Sequence, residues 1–212
     1  MSQTAEYIKR LSDLQEGERA RLRALAGQPL DRTLHGFDLF VGIWWPLRAA
    51  NERTPRREPS WLVAKLSGTS SVPHVRPEPD VGPSLPGVLG KCEPREDRDS
   101  RRFRTRFDAI VCSSLSDVET HLHWSLREIA KAVTGRLTYA GNVTGIDWVL
   151  LLDDLSLWDK EFNPKDTWQK SRLNAHEQLV HCHEKHRTPQ ELWACEYLHS
   201  VNHRPEGANH AD

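Results

Sequence analysis

The stretch Gly145-Ile146-Asp147-Trp148-Val149-Leu150-Leu151-Leu152-Asp153-Asp154-Leu155-Ser156-Leu157-Trp158 decides the fold class. Trp148, Leu151, Leu152, Leu155 and Trp158 recur at steps of three and four residues, the period at which one face of an α-helix repeats. Asp147 stands just before the run, where a carboxylate can accept the N–H groups that a first helical turn leaves unpaired. Downstream, Asn163-Pro164 is a cap followed by a first-turn proline and opens a helix that includes Trp168 and Leu179. Thr188-Pro189-Gln190-Glu191 combines a capping box with a first-turn proline ahead of Leu192, Trp193, Tyr197 and Leu198. Upstream, Ser116-Asp117-Val118-Glu119 also reads as a capping box. It precedes a face of Val118, Leu122, Leu126, Ile129 and Val133 that stops at Gly135, and Gly141 to Gly145 is a further turn.

The helical period continues toward the N-terminus. Phe103, Phe107, Ile110 and Val111 form one stripe, and Tyr7, Ile8, Leu11 and Leu14 another. Ala20, Leu22, Leu25 and Ala26 make a short helix closed by Gly27 and Pro29. Leu34, Phe37, Phe40, Val41, Trp44 and Trp45 follow, with Pro46 ending or kinking their helix, and Ser60 after Pro59 opens a short one from Trp61 to Leu66. Between Ser67 and Pro94, prolines and glycines crowd together with little periodicity, which reads as a long loop or linker. No segment alternates convincingly at period two, and no internal repeat is visible. The expectation is an all-α chain of two small helical bundles, residues 1–66 and 95–173. A Pro/Gly-rich segment at 67–94 joins them, and a helical extension and tail follow at 174–212.

With 212 residues the chain can bury roughly 70% of its unfolded surface and fold without staples. A mean hydropathy of −0.66 is polar, but eight tryptophans argue against disorder. No apolar run approaches the roughly 20 residues a bilayer needs. The start, Met1-Ser2-Gln3-Thr4-Ala5-Glu6, has neither a basic region nor an apolar one, and Cys92, Cys112, Cys182 and Cys195 are scattered, so a reduced, cytoplasmic protein is expected. The net charge of −1 divides into +4 over residues 1–110 and −5 over the rest. The basic half clusters its arginines at Arg19, Arg21 and Arg23, at Arg53, Arg56 and Arg57, and at Arg101, Arg102, Arg104 and Arg106. Such clusters are either a local phosphate-binding face or a solvated helix face paired with nearby carboxylates.

Enzyme signatures are missing: no G-x-x-x-x-G-K-[ST], G-x-G-x-x-G, G-x-S-x-G or H-E-x-x-H occurs. Asp153 and Asp154 are adjacent, but neighbours on a helix point about 100° apart and do not share one site. Cys182 and His186, then Cys195 and His199, are each four apart, so two helices folding back at Arg187-Thr188-Pro189 could bring a Cys₂His₂ set around zinc. That spacing matches no familiar zinc signature, and neither a metal nor another cofactor is assigned. Most tryptophans lie on the apolar stripes, where core packing rather than base stacking accounts for them.

Two segments resemble a known family. Glu18-Arg19-Ala20-Arg21-Leu22-Arg23-Ala24-Leu25, with Gly27 and then Phe37-Asp38-Leu39-Phe40, is similar to the opening of the CasB family, the small subunit of the type I-E CRISPR surveillance complex Cascade, where an A-x-L-R element precedes a helix. Arg106-Phe107-Asp108-Ala109-Ile110-Val111, then Leu115 to Leu126, then Gly145 to Trp158 and Trp168, resembles that family's R-F, its leucine run and its D-W-x-x-L-L-x-D-L-x-x-W. The likeness spans roughly residues 7 to 172 in order; the segment 67–94 and the tail after Asn174 depart from it.

The resemblance implies two helical bundles, no catalytic activity, and a head-to-tail pair of copies packed along other Cascade subunits that carry guide RNA. It further implies a role in holding the guide RNA–target DNA duplex and the displaced strand of the R-loop. R-loop formation exchanges one duplex for another at nearly balanced free energy, so modest backbone contacts can tip it. By position, Arg23 matches the arginine of A-x-L-R and Arg106 that of R-F; Arg19, Arg21, Lys65, Arg101 and Arg102 are nominated by clustering. A protein–protein scaffold without nucleic-acid contact, or a zinc-stabilised module, are the competing expectations.

Overall fold

The structure, a computed structural model, describes residues 2–29, 37–51, 54–76, 82–163, 165–166, 169–170, 172–174 and 187–203. The fold is all-α. The α-helices with described bounds are α1 (Gln3–Ser12), α2 (Glu16–Arg23), α3 (Phe37–Ala50), α4 (Arg57–Thr69), α5 (Leu85–Lys91), α6 (Asp97–Val111), α7 (Glu119–Val133), α8 (Trp148–Ser156) and α9 (Pro189–Asn202). The one extended pairing among them is an isolated parallel bridge between His74 and Ile146, closed by Val75 N–H to Ile146 O at 2.9 Å and Ile146 N–H to Pro73 O at 3.1 Å.

The local chemistry that starts and stops these helices matches the sequence in several places. Asp147 Oδ1 accepts the Val149 and Leu150 N–H groups at 2.9 and 3.2 Å and opens α8, whose apolar residues are buried. Thr188 accepts from Glu191 N–H at 3.3 Å, while the Glu191 carboxylate accepts from the Thr188 and Arg187 N–H groups, a reciprocal cap with Pro189 in the first turn. Gly27 and Gly135 follow α2 and α7 with φ of +74° and +72°, a left-handed conformation that side-chain-bearing residues resist.

Elsewhere tertiary structure overrides the local reading. Ser116 and Glu119 form no capping box: Ser116 meets Ser114 at 2.7 Å, and α7 begins only at Glu119, whose carboxylate is drawn instead to Lys65 and the Gly27 N–H. Pro46 does not end α3, which runs on to Ala50. Helix α4 begins at Arg57, ahead of Pro59 and Ser60, so Ser60 is inside it and its hydroxyl donates back to Arg56 O. The segment 67–94 is not one long loop, because Ser84 caps α5 by accepting from Gly87 N–H and Pro86 occupies its first turn. Leu85, Val88, Leu89 and Cys92 are buried there.

Packing arranges the helices in two interlocked groups. Helix α4 is buried along most of its length and touches α2, α3, α7 and α8, while α1 lies against α3 and α8. Helices α5, α6, α7 and α9 form the other group, with α5 and α9 in closest association. Gly90 permits that approach: a Cβ there would fall 2.6 Å from Tyr197 O and 2.9 Å from Ser200 Cβ. Glu93, at the end of α5, accepts bonds from Tyr197 OH, Ser100 Oγ (2.6 Å) and Arg104 Nε (3.0 Å). Burial raises the Glu93 pKa, but these donors outweigh it and hold the carboxyl below its usual range. One hydrophobic cluster runs through both groups from Tyr7 to Tyr197. Trp44, Trp61, Trp124, Trp148, Trp158 and Trp193 lie within it, as expected; Trp45 is 59% exposed, and Trp168 falls outside the described residues.

Candidate nucleic-acid interface

The seven nominated cations separate into two structural roles. Arg19 turns inward along the N-terminal group, its Nε donating to Leu14 O at 3.0 Å and its Nη2 to Ser12 O at 2.5 Å. These bonds satisfy carbonyls that the end of α1 leaves without helical partners. Arg23 donates Nε to Gly68 O at 3.0 Å, tying α2 to α4, and its Nη2 pairs with Glu16 at 3.1 Å. Lys65 is 3% exposed, with Nζ bonded to Gln28 O at 2.9 Å and Glu119 Oε2 at 2.5 Å. Arg21 makes a two-pronged contact with Asp38, both nitrogen–oxygen distances being 2.8 Å, in the open. That guanidinium lowers the Asp38 pKa.

Helix α6 is different. It buries Phe103, Phe107 and Ile110 along one side, and that side fixes which arginines must face water. Arg101, Arg102 and Arg106 are exposed. The Arg101 guanidinium has no partner among the described residues. Arg102 reaches Asp99 only at 4.0 Å, and the Arg106 guanidinium lies 5.5 Å from the centre of the Trp124 ring, over a face supplied by α7. Arg104 points elsewhere, toward Glu93.

One exposed arginine on this face escaped sequence reasoning. Arg98, Arg102 and Arg106 are spaced by four, so they share a stripe about 12 Å long, at the 1.5 Å rise per residue of an α-helix. Arg98 is exposed and has no partner among the described residues. The signal was present in the four-residue spacing, hidden by grouping arginines by adjacency instead of by helical face. Beside the stripe, a groove between α6 and α7 is floored by Phe103 and Trp124, whose rings meet edge to face at 4.9 Å. Asp99 and Glu128 stand at its rim, and Glu128 is itself held by Lys131 at 2.8 Å.

The zinc arrangement stays unsupported. Cys182 and His186 lie outside the described residues, Cys195 and His199 sit on α9, and no group of three or more metal-ligating side chains assembles among the described residues. No helix among them is long and apolar enough to cross a membrane.

The crystal structure of M. ruber CasB shares this fold, with a TM-score of 0.56, 17% sequence identity and 95% coverage of each chain. No curated sequence matches the chain. Residues 18–197 match the family described as CRISPR-associated protein Cse2, so the chain belongs to the Cse2 family and is a small structural subunit of the Cascade complex of CRISPR defence.

Proposed function

We propose that this subunit uses the exposed arginine stripe of α6 to hold the phosphate backbone of nucleic acid in the assembled complex, stabilising the guide RNA–target DNA R-loop and its displaced strand. The observation that carries the reading is the contrast among the nominated cations: Arg23 and Lys65 are bonded within the fold, whereas Arg98, Arg101, Arg102 and Arg106 face solvent along one helix. Guanidinium groups at successive turns suit a repeating line of phosphates and read no base, which fits a subunit that works on any target. A second copy of the chain and the other Cascade subunits would extend the groove on either side. Catalysis is no part of the reading, and its setting is the cytoplasm.

The test is a reconstituted complex carrying Arg102→Ala and Arg106→Ala. It should assemble and retain guide RNA as the parent does, and release target DNA faster at physiological salt. Equal retention by parent and variant would refute the proposal. Loss of assembly with unaltered DNA affinity of whatever complex forms would favour the scaffold reading.

A further inference from the structure

A second basic site, away from α6, lies between α1, the end of α4 and α8. It is a cavity of about 260 Å³ lined by Arg19, Ser67, Ser70, Ser71, His74 and Trp148, together with apolar side chains of α1. No carboxylate lines it. We propose that this cavity binds a phosphate group.

The donor set is the argument. Arg19 Nε and Nη2 are spent on the carbonyls of Leu14 and Ser12, which fixes the guanidinium in place. Both bonds go to neutral carbonyls, so no counter-ion among the described residues neutralises the charge, and Nη1 is left with its two N–H groups. Ser70 Oγ accepts from Val72 N–H at 3.1 Å, leaving its hydroxyl hydrogen to donate. Ser71 is exposed and has no hydrogen bond among the described residues. His74 Nδ1 accepts from Trp148 N–H at 3.2 Å, which places the proton of the neutral ring on Nε2 and makes that nitrogen a donor too. The Asp147 carboxylate lies 3.9 Å from Nδ1, but its oxygens are engaged by Arg76, by the Gly82 N–H and by the first turn of α8.

A fixed, unneutralised guanidinium with two hydroxyls and an imidazole N–H matches a tetrahedral oxyanion, whose several oxygens each accept hydrogen bonds. The ligand is either free inorganic phosphate or a phosphate of a nucleic-acid backbone, and the two are separable. The inference stands on this cavity alone and does not depend on the α6 stripe.

The experiment follows the His74 ring signals by NMR and the thermal midpoint of the purified chain. Potassium phosphate is compared with potassium chloride at equal ionic strength, and an unphosphorylated oligothymidine is then added. Phosphate should shift the His74 signals saturably and raise the midpoint where chloride does neither. Arg19→Ala also removes two structural bonds and can fail to fold, so the decisive variant is Ser71→Asp, an exposed change that sets a carboxylate against the anion and should weaken binding at least about tenfold. Oligothymidine shifting the same signals identifies a backbone phosphate; a response to phosphate alone identifies the free ion. Unmoved His74 signals with both probes, or a Ser71→Asp chain that responds like the parent, would overturn the assignment.

Discussion

Lys65 Nζ sits 2.5 Å from Glu119 Oε2, joining the largely buried helix α4 to the first residue of α7. Glu119 also accepts from Gly27 N–H at 2.8 Å, so one carboxylate gathers the end of α2, the middle of α4 and the start of α7. Burial raises the Glu119 pKa, but His123, Lys65 and the Gly27 amide outweigh it and lower the value from 4.5 to about 2. A depressed carboxylate stabilises the fold above its unfolded pKa, and that contribution is lost as pH falls from about 4.5 toward 2. Glu119→Gln should therefore flatten the acid limb of the stability curve across that window, as read by urea midpoints. Lys65→Met should cost about 2–3 kcal/mol at neutral pH, less than a wholly uncompensated buried charge because Glu119 keeps its Gly27 bond.

Asp153 behaves in the opposite sense. Burial lifts its pKa to about 7 against the opposing bond from Thr4 Oγ1 at 2.7 Å, and the charges of Asp154 and Asp147 add to the rise. An acid whose pKa is raised on folding stabilises fully below its unfolded value and loses that contribution as pH rises through the folded one. The parent should lose stability between about pH 4 and pH 7 relative to Asp153→Asn, whose side-chain oxygen still accepts from Thr4. Parallel urea midpoints for the two chains across that range would contradict this.

Gly90→Ala tests the contact between α5 and α9. The added Cβ would meet a backbone carbonyl, which cannot rotate away as a side chain can, so α9 must shift. The expected cost is about 2–3 kcal/mol, the range for overpacking a tight site, and it should appear as a lowered thermal midpoint.

Arg172 is 4% exposed and serves two carboxylates, Asp154 at 3.2 Å and Glu196 at 2.6 Å, while Trp193 Nε1 donates to the same Asp154 at 2.7 Å. Arg172→Met strands two buried acids and should cost about 3–5 kcal/mol. Trp193→Phe removes one donor and should cost about 1–2 kcal/mol. Denaturant midpoints for the pair should keep that order at pH 7 and converge as pH falls and the carboxylates become protonated.

The helices were legible where one local signal sufficed: Asp147 before Trp148, the Thr188–Glu191 pair, and the glycines after α2 and α7. They were misread where a distant partner decided. Glu119 looked like a capping residue, but its carboxylate belongs to Lys65, 54 positions away. The density of Pro and Gly between 67 and 94 hid a short helix whose cap, Ser84, and first-turn Pro86 were both present in the sequence. For the interface, clustering brought out cations without saying which were bonded within the fold. Lys65 and Arg23 belong to the packing, and Arg98 stands out when the arginines of α6 are sorted by helical face instead of by adjacency.

The most direct measurement is the salt dependence of target-DNA binding by the assembled complex, for the parent and for a variant with Arg98, Arg101, Arg102 and Arg106 changed to Ala. Each phosphate contact contributes about 0.7–0.9 to the slope of log K against log salt. The account predicts a slope shallower by about 2 to 4, with guide RNA content and thermal midpoint unchanged. An unaltered slope in a fully assembled variant would show that the α6 arginines do not touch the backbone.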